Sequence, residues 1–150
     1  PCFVARPGWP HAQDPEVFKR FTALPDSGVA ETLQYFSKLE VAGSENARET
    51  LARLARVQTV LPSAEALRCG LEILASEDLV NSLETIEVPT LLIGGEADRL
   101  VPAEAMKETA RRISGAMLEL VEGAGHAPFV SHADMLIEPV SAFLNRKRAA

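Results

Sequence analysis

Cysteine is scarce in this chain. Cys2 and Cys69 are the 2 in 150 residues, with no CxxC and no metal-ligand spacing. Two thiols make no disulfide framework, so the expected setting is a reducing cytoplasm, and no metal or cofactor is implied. Positive charge is also short, with 15 Lys and Arg against 21 Asp and Glu for a formal net charge of −6. Residues 1–86 carry 8 basic and 12 acidic side chains, and residues 87–150 carry 7 and 9. Neither part offers the basic face that nucleic acid requires. The one basic run, Arg146-Lys147-Arg148, reads as a solvated tail at a helix C-terminus, where cations suit the dipole. No apolar run approaches the ~20 residues of a membrane span, and no charged segment followed by an apolar one marks a signal peptide.

What is present is ordinary for a globular chain, 47% apolar and 24% charged. The length fits one domain. The opening Pro1-Cys2-Phe3, without Met, reads as mid-phrase and suggests a processed or truncated frame. Pro1, Pro7, Gly8 and Pro10 make residues 1–13 irregular. Asp14-Pro15-Glu16 starts a helix with an acidic cap and proline in the first turn. Val17, Phe18, Phe21 and Leu24 follow at helical spacing until Pro25 and Asp26-Ser27-Gly28 stop it. A second helix runs from Val29 to Val41, with Val29, Leu33 and Phe36 on one face. Ser44 can cap a third, striped by Ala47, Leu51, Leu54 and Leu61. Pro62-Ser63 opens a fourth with Leu67, Leu71 and Leu74, and a short helical turn covers Asp78–Leu83.

At Glu87 the rhythm changes. Val88-Pro89-Thr90-Leu91-Leu92-Ile93, ended by Gly94-Gly95, reads as a buried strand of a parallel sheet. A helix from Val101-Pro102 repeats Ala103, Met106, Ala110 and Ile113. Met117–Val121 is a second strand. Residues 133–146 are helical in period, with a kink or break expected at Pro139. The fold class is therefore α/β: strand–helix–strand–helix over residues 87–150, preceded by an all-helical zone over residues 1–86. Two strands alone leave unpaired edges, so the α/β zone reads as the end of a larger sheet.

Two sites sit just past the strands, where open α/β sheets bind ligands. Asp98 follows the first, and can hold a histidine in one tautomer or simply cap a turn. His126 follows Gly123-Ala124-Gly125, a turn that bends without side-chain clash, and Pro128 with Phe129 is expected to hold it. A histidine so placed can shuttle a proton near neutral pH. The occurrence of both sites after strands favours an Asp98–His126 pair over two idle loop residues. Glu96 is the second-choice acid. His132 reads as a partial cap of the last helix, and His11 as exposed.

The pattern strand–Gly-x-x-Asp-x-x-Val-Pro followed by strand–Gly-x-Gly-His resembles the last third of α/β-hydrolase-fold enzymes, which use a Ser–Asp–His triad in that chain order. More narrowly, Pro1-Cys2-Phe3, Trp9-Pro10, Gly70-Leu71-Glu72-Ile73-Leu74, Asp98 with Leu100-Val101-Pro102, and His126-Ala127-Pro128-Phe129 with Ser131-His132 resemble the carboxylesterases of biotin biosynthesis. Those enzymes demethylate an acyl ester borne on an acyl-carrier protein. The resemblance covers nearly the whole chain. It implies a helical lid at residues 1–86 over the C-terminal part of a hydrolase core at residues 87–150. It implies that His126 is the general base and Asp98 its orienter. Phe36 and Leu100 match positions lining the acyl channel, and Arg48 matches a lid arginine that meets the carrier protein or its phosphopantetheine phosphate.

The chain departs from that pattern in two ways. Two further lid arginines are replaced by Glu31 and Tyr35, and a glutamine by Glu40, which adds negative charge where an acidic carrier would dock. Arg53 and Arg56 on the next helix are candidates to compensate. The family's Gly-x-Ser-x-Gly elbow and oxyanion donors fall upstream of Pro1, and Ser27, Ser44 and Ser114 each touch one glycine at most. The chain alone is expected to be inactive, and its intact parent to be a cytoplasmic, monomeric ester hydrolase without a cofactor. Epoxide hydrolysis, C–C bond hydrolysis, acyl transfer and a non-catalytic interaction module remain the alternatives.

Overall fold

The computed structural model describes residues 1–23 and 28–146. Leu24 of the first helix's expected apolar spacing, Pro25, Asp26 and Ser27 expected to stop that helix, and Lys147 and Arg148 of the basic run lie outside the described residues.

Residues 1–13 are less irregular than their prolines suggest. The chain turns back at Pro7-Gly8, where Arg6 bridges Trp9, and Val4 bridges Gln13. This fold-back buries Trp9 to 1% exposure. The helix α1 (Pro15–Thr22) is capped as the sequence implies, with Asp14 Oδ1 accepting from the N–H groups of Glu16 and Val17 at 2.8 and 3.1 Å. It buries Phe18 and Phe21, while Val17 of the expected apolar face points to solvent. The helix α2 spans Val29–Glu40.

In α3 (Ala47–Val57) two expectations fail. The cap position is Asn46 rather than Ser44, whose N–H instead bonds the Val41 carbonyl at 3.0 Å. Leu61 is no part of the helical stripe. The helix ends before the β-branched residues Thr59 and Val60, and Pro62 disfavours helical backbone at Leu61, which is left exposed. The helix α4 (Ala64–Ser76) is capped by Ser63 Oγ, which accepts from Ala66 N–H at 3.1 Å. A 3-10 helix (Val80–Thr85) follows.

The strands β1 (Leu91–Gly95) and β2 (Met117–Val121) pair in parallel, Leu91 opposite Met117 through Gly95 opposite Val121. Between them α5 (Ala103–Arg112) crosses over and packs on both. Of the expected repeat, Ile113 just beyond the helix end is buried and Met106 lies against Gly94 of β1, while Ala103 and Ala110 are half-buried; Ala105 and Thr109, outside that repeat, are the residues of the helix that are fully buried. The short helix α6 (Pro128–Ser131) leads into α7 (Ala133–Arg146). Pro139 sits inside α7 without dividing it. Met135, whose carbonyl Pro139 deprives of a partner, is 54% exposed, so water can serve that carbonyl.

Two apolar clusters tie the parts together. Cys2, Trp9, Val80 and Leu83 pack on Ala105 and Ile113 of the α5 segment, so both ends of residues 1–86 sit on the α/β unit. Phe18, Phe21 and Leu100 form the second, with Phe36, Leu39, Leu71 and Leu74 packed against it. That cluster seats the helical layer on the loop that carries Asp98.

Candidate active site

Asp98 lies in the loop between β1 and α5, and its side chain is 5% exposed. Its two oxygens divide their work. Oδ1 accepts from the N–H groups of Leu100 and Val101 at 2.7 and 2.9 Å, closing the turn into α5. Oδ2 accepts from His126 Nδ1–H at 2.8 Å. The turn-capping role and the histidine-orienting role are thus carried by one residue. A carboxylate can only accept, so the contact places the imidazole proton on Nδ1 and leaves the Nε2 lone pair outward. Nε2 has no hydrogen-bond partner among the described residues, and the His126 side chain is 35% exposed. The hydrogen bond to Asp98 raises the His126 pKa above its ordinary value, against the opposing effect of burial.

The loops meet because Gly95 has no side chain. A Cβ there would lie inside van der Waals contact of the Ala124 and Gly125 carbonyl oxygens. Its absence lets Glu96 N–H reach the Val121 carbonyl and Ala97 N–H the Ala124 carbonyl, both at 3.0 Å. The Gly94-Gly95 pair at a strand end was the available signal for this close approach. Gly123 turns the chain after β2 at φ +72°, a conformation that glycine tolerates.

Two further supports carry no local signal in the sequence. Gln13, buried in the opening segment, donates through Nε2 to the Leu100 carbonyl at 2.8 Å and to that of Arg99, pinning the acid's loop. Glu40, the last residue of α2, accepts from His126 N–H through its backbone carbonyl at 2.8 Å. The histidine is therefore held by the helical layer. Phe129, expected to hold it, is 65% exposed.

The other candidates fall apart from the pair or beside it. Glu96 and His11 are exposed. His132 accepts through its carbonyl from Met135 N–H at 3.0 Å, and its Nδ1 lies 2.7 Å from Ser131 Oγ, a local role at the start of α7. Phe36 lines an apolar cavity of about 250 Å³ between α1, α2 and α4, with Phe21, Leu33, Leu67, Leu71 and Leu74. Leu100 is fully covered in the cluster that includes Phe21 and sits outside that lining. Arg48 is exposed on the first turn of α3, away from the cavity wall. Arg53 is engaged, with Glu49 at 2.7 Å and the Val130 carbonyl at 3.1 Å. No group of side chains able to hold a metal ion occurs among the described residues. No helix among them is long and apolar enough to cross a membrane.

A parallel strand–helix–strand unit with an acid after one strand and a histidine after the next is the arrangement of the α/β hydrolases, and residues 2–138 match that family, to which the chain belongs. Among curated relatives it is 39% identical over 146 residues to the pimeloyl-[acyl-carrier protein] methyl ester esterase of Stenotrophomonas maltophilia (strain K279a), covering 96% of this chain and 56% of that protein. To the protein of the same name from Xylella fastidiosa (strain M12) it is 34% identical over 148 residues, covering 96% and 58%. The chain thus spans little more than half the length of these relatives. Among solved structures it is similar to an esterase from Exiguobacterium antarcticum, with a TM-score of 0.83 and 23% identity, covering 96% of this chain and 53% of that one. It is similar also to a bromoperoxidase from Bacillus anthracis, with a TM-score of 0.84 and 21% identity, covering 97% and 54%. At these identities the structural likeness defines the fold alone.

Proposed function

We propose that the chain supplies the acid and the base of a serine carboxylesterase of biotin biosynthesis, acting on the methyl ester of an acyl chain borne by an acyl-carrier protein. The observation that carries the reading is the 2.8 Å Asp98–His126 pair with Nε2 unpartnered among the described residues. The relatives named pimeloyl-[acyl-carrier protein] methyl ester esterase supply the substrate class. None of the 150 residues forms a Gly-x-Ser-x-Gly elbow, so the nucleophile comes from outside them.

In this mechanism the serine hydroxyl lies at Nε2. Its oxygen attacks the ester carbonyl while His126 takes its proton. The imidazolium so formed is stabilised by the Asp98 carboxylate through Nδ1–H. His126 then gives the proton to the departing methoxide, methanol leaves, and an acyl-enzyme remains. Water, deprotonated at Nε2, attacks that ester; the serine oxygen leaves and takes the proton back from His126, and the acid is released. The helices α1–α4 act as a lid. Their cavity takes the apolar chain, with Phe36 at the wall and Leu100 beneath. Arg48 extends towards the carrier's phosphate, a contact Arg53 cannot share while it bonds Glu49 and Val130.

The test is complementation. The chain alone is expected to turn over no p-nitrophenyl ester. Mixed with or joined to the part of the Stenotrophomonas relative that this chain does not match, it should gain turnover that His126→Ala lowers by at least about 10³-fold. Hydrolysis by the chain alone, or activity surviving His126→Ala, overturns the reading.

A further inference from the structure

The opening segment reaches the loop of Asp98 through the Gln13 side chain. The backbone of Gln13 is engaged on both sides, its N–H donating to the Phe3 carbonyl at 3.0 Å and its carbonyl accepting from Ala5 N–H at 2.8 Å. The side chain therefore starts from a fixed root, and the residue is only 9% exposed. Its Nε2 donates to the Leu100 carbonyl at 2.8 Å and to the Arg99 carbonyl. Two carbonyls on one side fix the amide's orientation, since only its NH2 end can face both.

Those carbonyls belong to two consecutive peptide units. The N–H groups of the same units are those of Leu100 and Val101, the two that donate to Asp98 Oδ1 at 2.7 and 2.9 Å. Each unit is planar, and in a trans peptide the C=O and N–H point in opposite directions. Gln13 thus holds both planes by one edge, and Asp98 meets them at the other. Donation to a carbonyl also polarises the N–H of its own unit and strengthens the bond that N–H makes. The arrangement is specific to residue type. An ionised Glu would turn oxygens towards oxygens, Met would offer no donor, and Asn is one carbon short.

We propose that Gln13 is a positioning residue for the Asp98–His126 pair: by clamping the two peptide units that hold Oδ1, it aims Oδ2 at His126 Nδ1. The two carboxylate oxygens share one rigid plane. An Oδ1 held by two fixed N–H groups leaves Oδ2 little freedom to turn from the imidazole 2.8 Å away. The proposal rests on the reading of Asp98 as the orienter of the base.

The experiment is NMR on the 150-residue chain, comparing wild type with Gln13→Met, which keeps the length and removes the donors, and Gln13→Asn, which keeps the amide and withdraws its reach. Amide exchange of Leu100 and Val101 should accelerate by about tenfold in either variant, the scale of one lost hydrogen bond. Above the His126 midpoint, the ring-nitrogen shifts should show the proton moving in part from Nδ1 to Nε2, with the His132 ring unchanged. Should Gln13→Met fail to fold, the milder Gln13→Asn carries the same test. Accelerated exchange with an unchanged His126 tautomer would make Gln13 a fastening of the opening segment alone and overturns the proposal, as do wild-type values for both readouts. A wild-type ring without a proton on Nδ1 overturns the pair and the proposal with it. These readouts need neither serine nor substrate, so their failure is distinct from a failure of esterase complementation.

Discussion

Asp98 shows how one carboxylate can close a turn and hold a histidine at once. Its Oδ1 is occupied by two backbone N–H groups and its Oδ2 by His126. The consequence is specific for Asp98→Asn. The turn's N–H groups hold the amide oxygen in the Oδ1 position, so the NH2 group faces His126 Nδ1. Two donors cannot share one hydrogen bond, and the imidazole proton is driven to Nε2, where a base needs its lone pair. In the complemented enzyme kcat should fall by about 10⁴-fold with little change in overall stability. The His126 midpoint, read by NMR, should move down because the hydrogen bond that raises it is gone. An unchanged midpoint would count against the tautomer assignment.

At the scale of elements, the site depends on two strand-end loops running closer than side chains allow. Gly95 makes that approach possible, and the pairing of Glu96 with Val121 and Ala97 with Ala124 extends the sheet's contacts past β1 and β2. Gly95→Ala puts a methyl against two backbone carbonyls, which cannot swing aside as a flexible side chain can. The loops must separate, at a cost of about 1–3 kcal/mol in urea unfolding. Asp98 and His126 then lose their contact, and amide exchange should accelerate in residues 96–98 and 122–126. Stability and exchange equal to wild type would sink this account of the glycine. Around the loops, α2, the turn after it and α3 act as a brace through Glu40, Glu45 and Arg53 respectively, whose partners are the His126, Gly123 and Val130 backbones.

Across the whole molecule the titrating groups give stability a definite slope with pH. His126 has its folded pKa raised from 6.5 by Asp98. Its contribution is fully present below 6.5 and is lost as pH rises through the raised folded value. Glu40 has its folded pKa raised from 4.5 by burial, so ionising it in the fold costs stability as pH rises from 4.5 through that raised value. Asp78, Glu104 and Glu108 are lowered by their hydrogen-bonding partners, chiefly Cys2, Lys107 and Arg112. They act in the opposite sense, losing stability as pH falls through their folded values, and as surface pairs screened by solvent they contribute little. Urea unfolding should therefore show stability declining from mildly acid pH through and above neutrality. The upper part of that decline should be absent in His126→Ala. A wild-type profile that matched the variant's across this window would refute the assignment.

The elements themselves were legible in the sequence, because they rest on local chemistry. Asp14 and Ser63 cap helices through their own side chains, and the Leu91–Ile93 run ended by two glycines makes a strand of a parallel sheet, though half-buried rather than buried as expected. Asp98 and His126 were legible as candidates, since each follows a strand. Where local cues competed, reading failed: Leu61 kept the helical spacing but lay before a proline, and Phe129 lay beside the histidine in sequence yet faces solvent. Only the tertiary structure decided which distant groups hold the pair. Gln13 lies 86 and 87 positions from the carbonyls of Arg99 and Leu100 that it fastens, and Glu40 bonds the backbone of His126 from another layer. Backbone carbonyls are the same at every residue, so no residue type marks the one that will be used. Which is used depends on how the helical layer seats on the sheet.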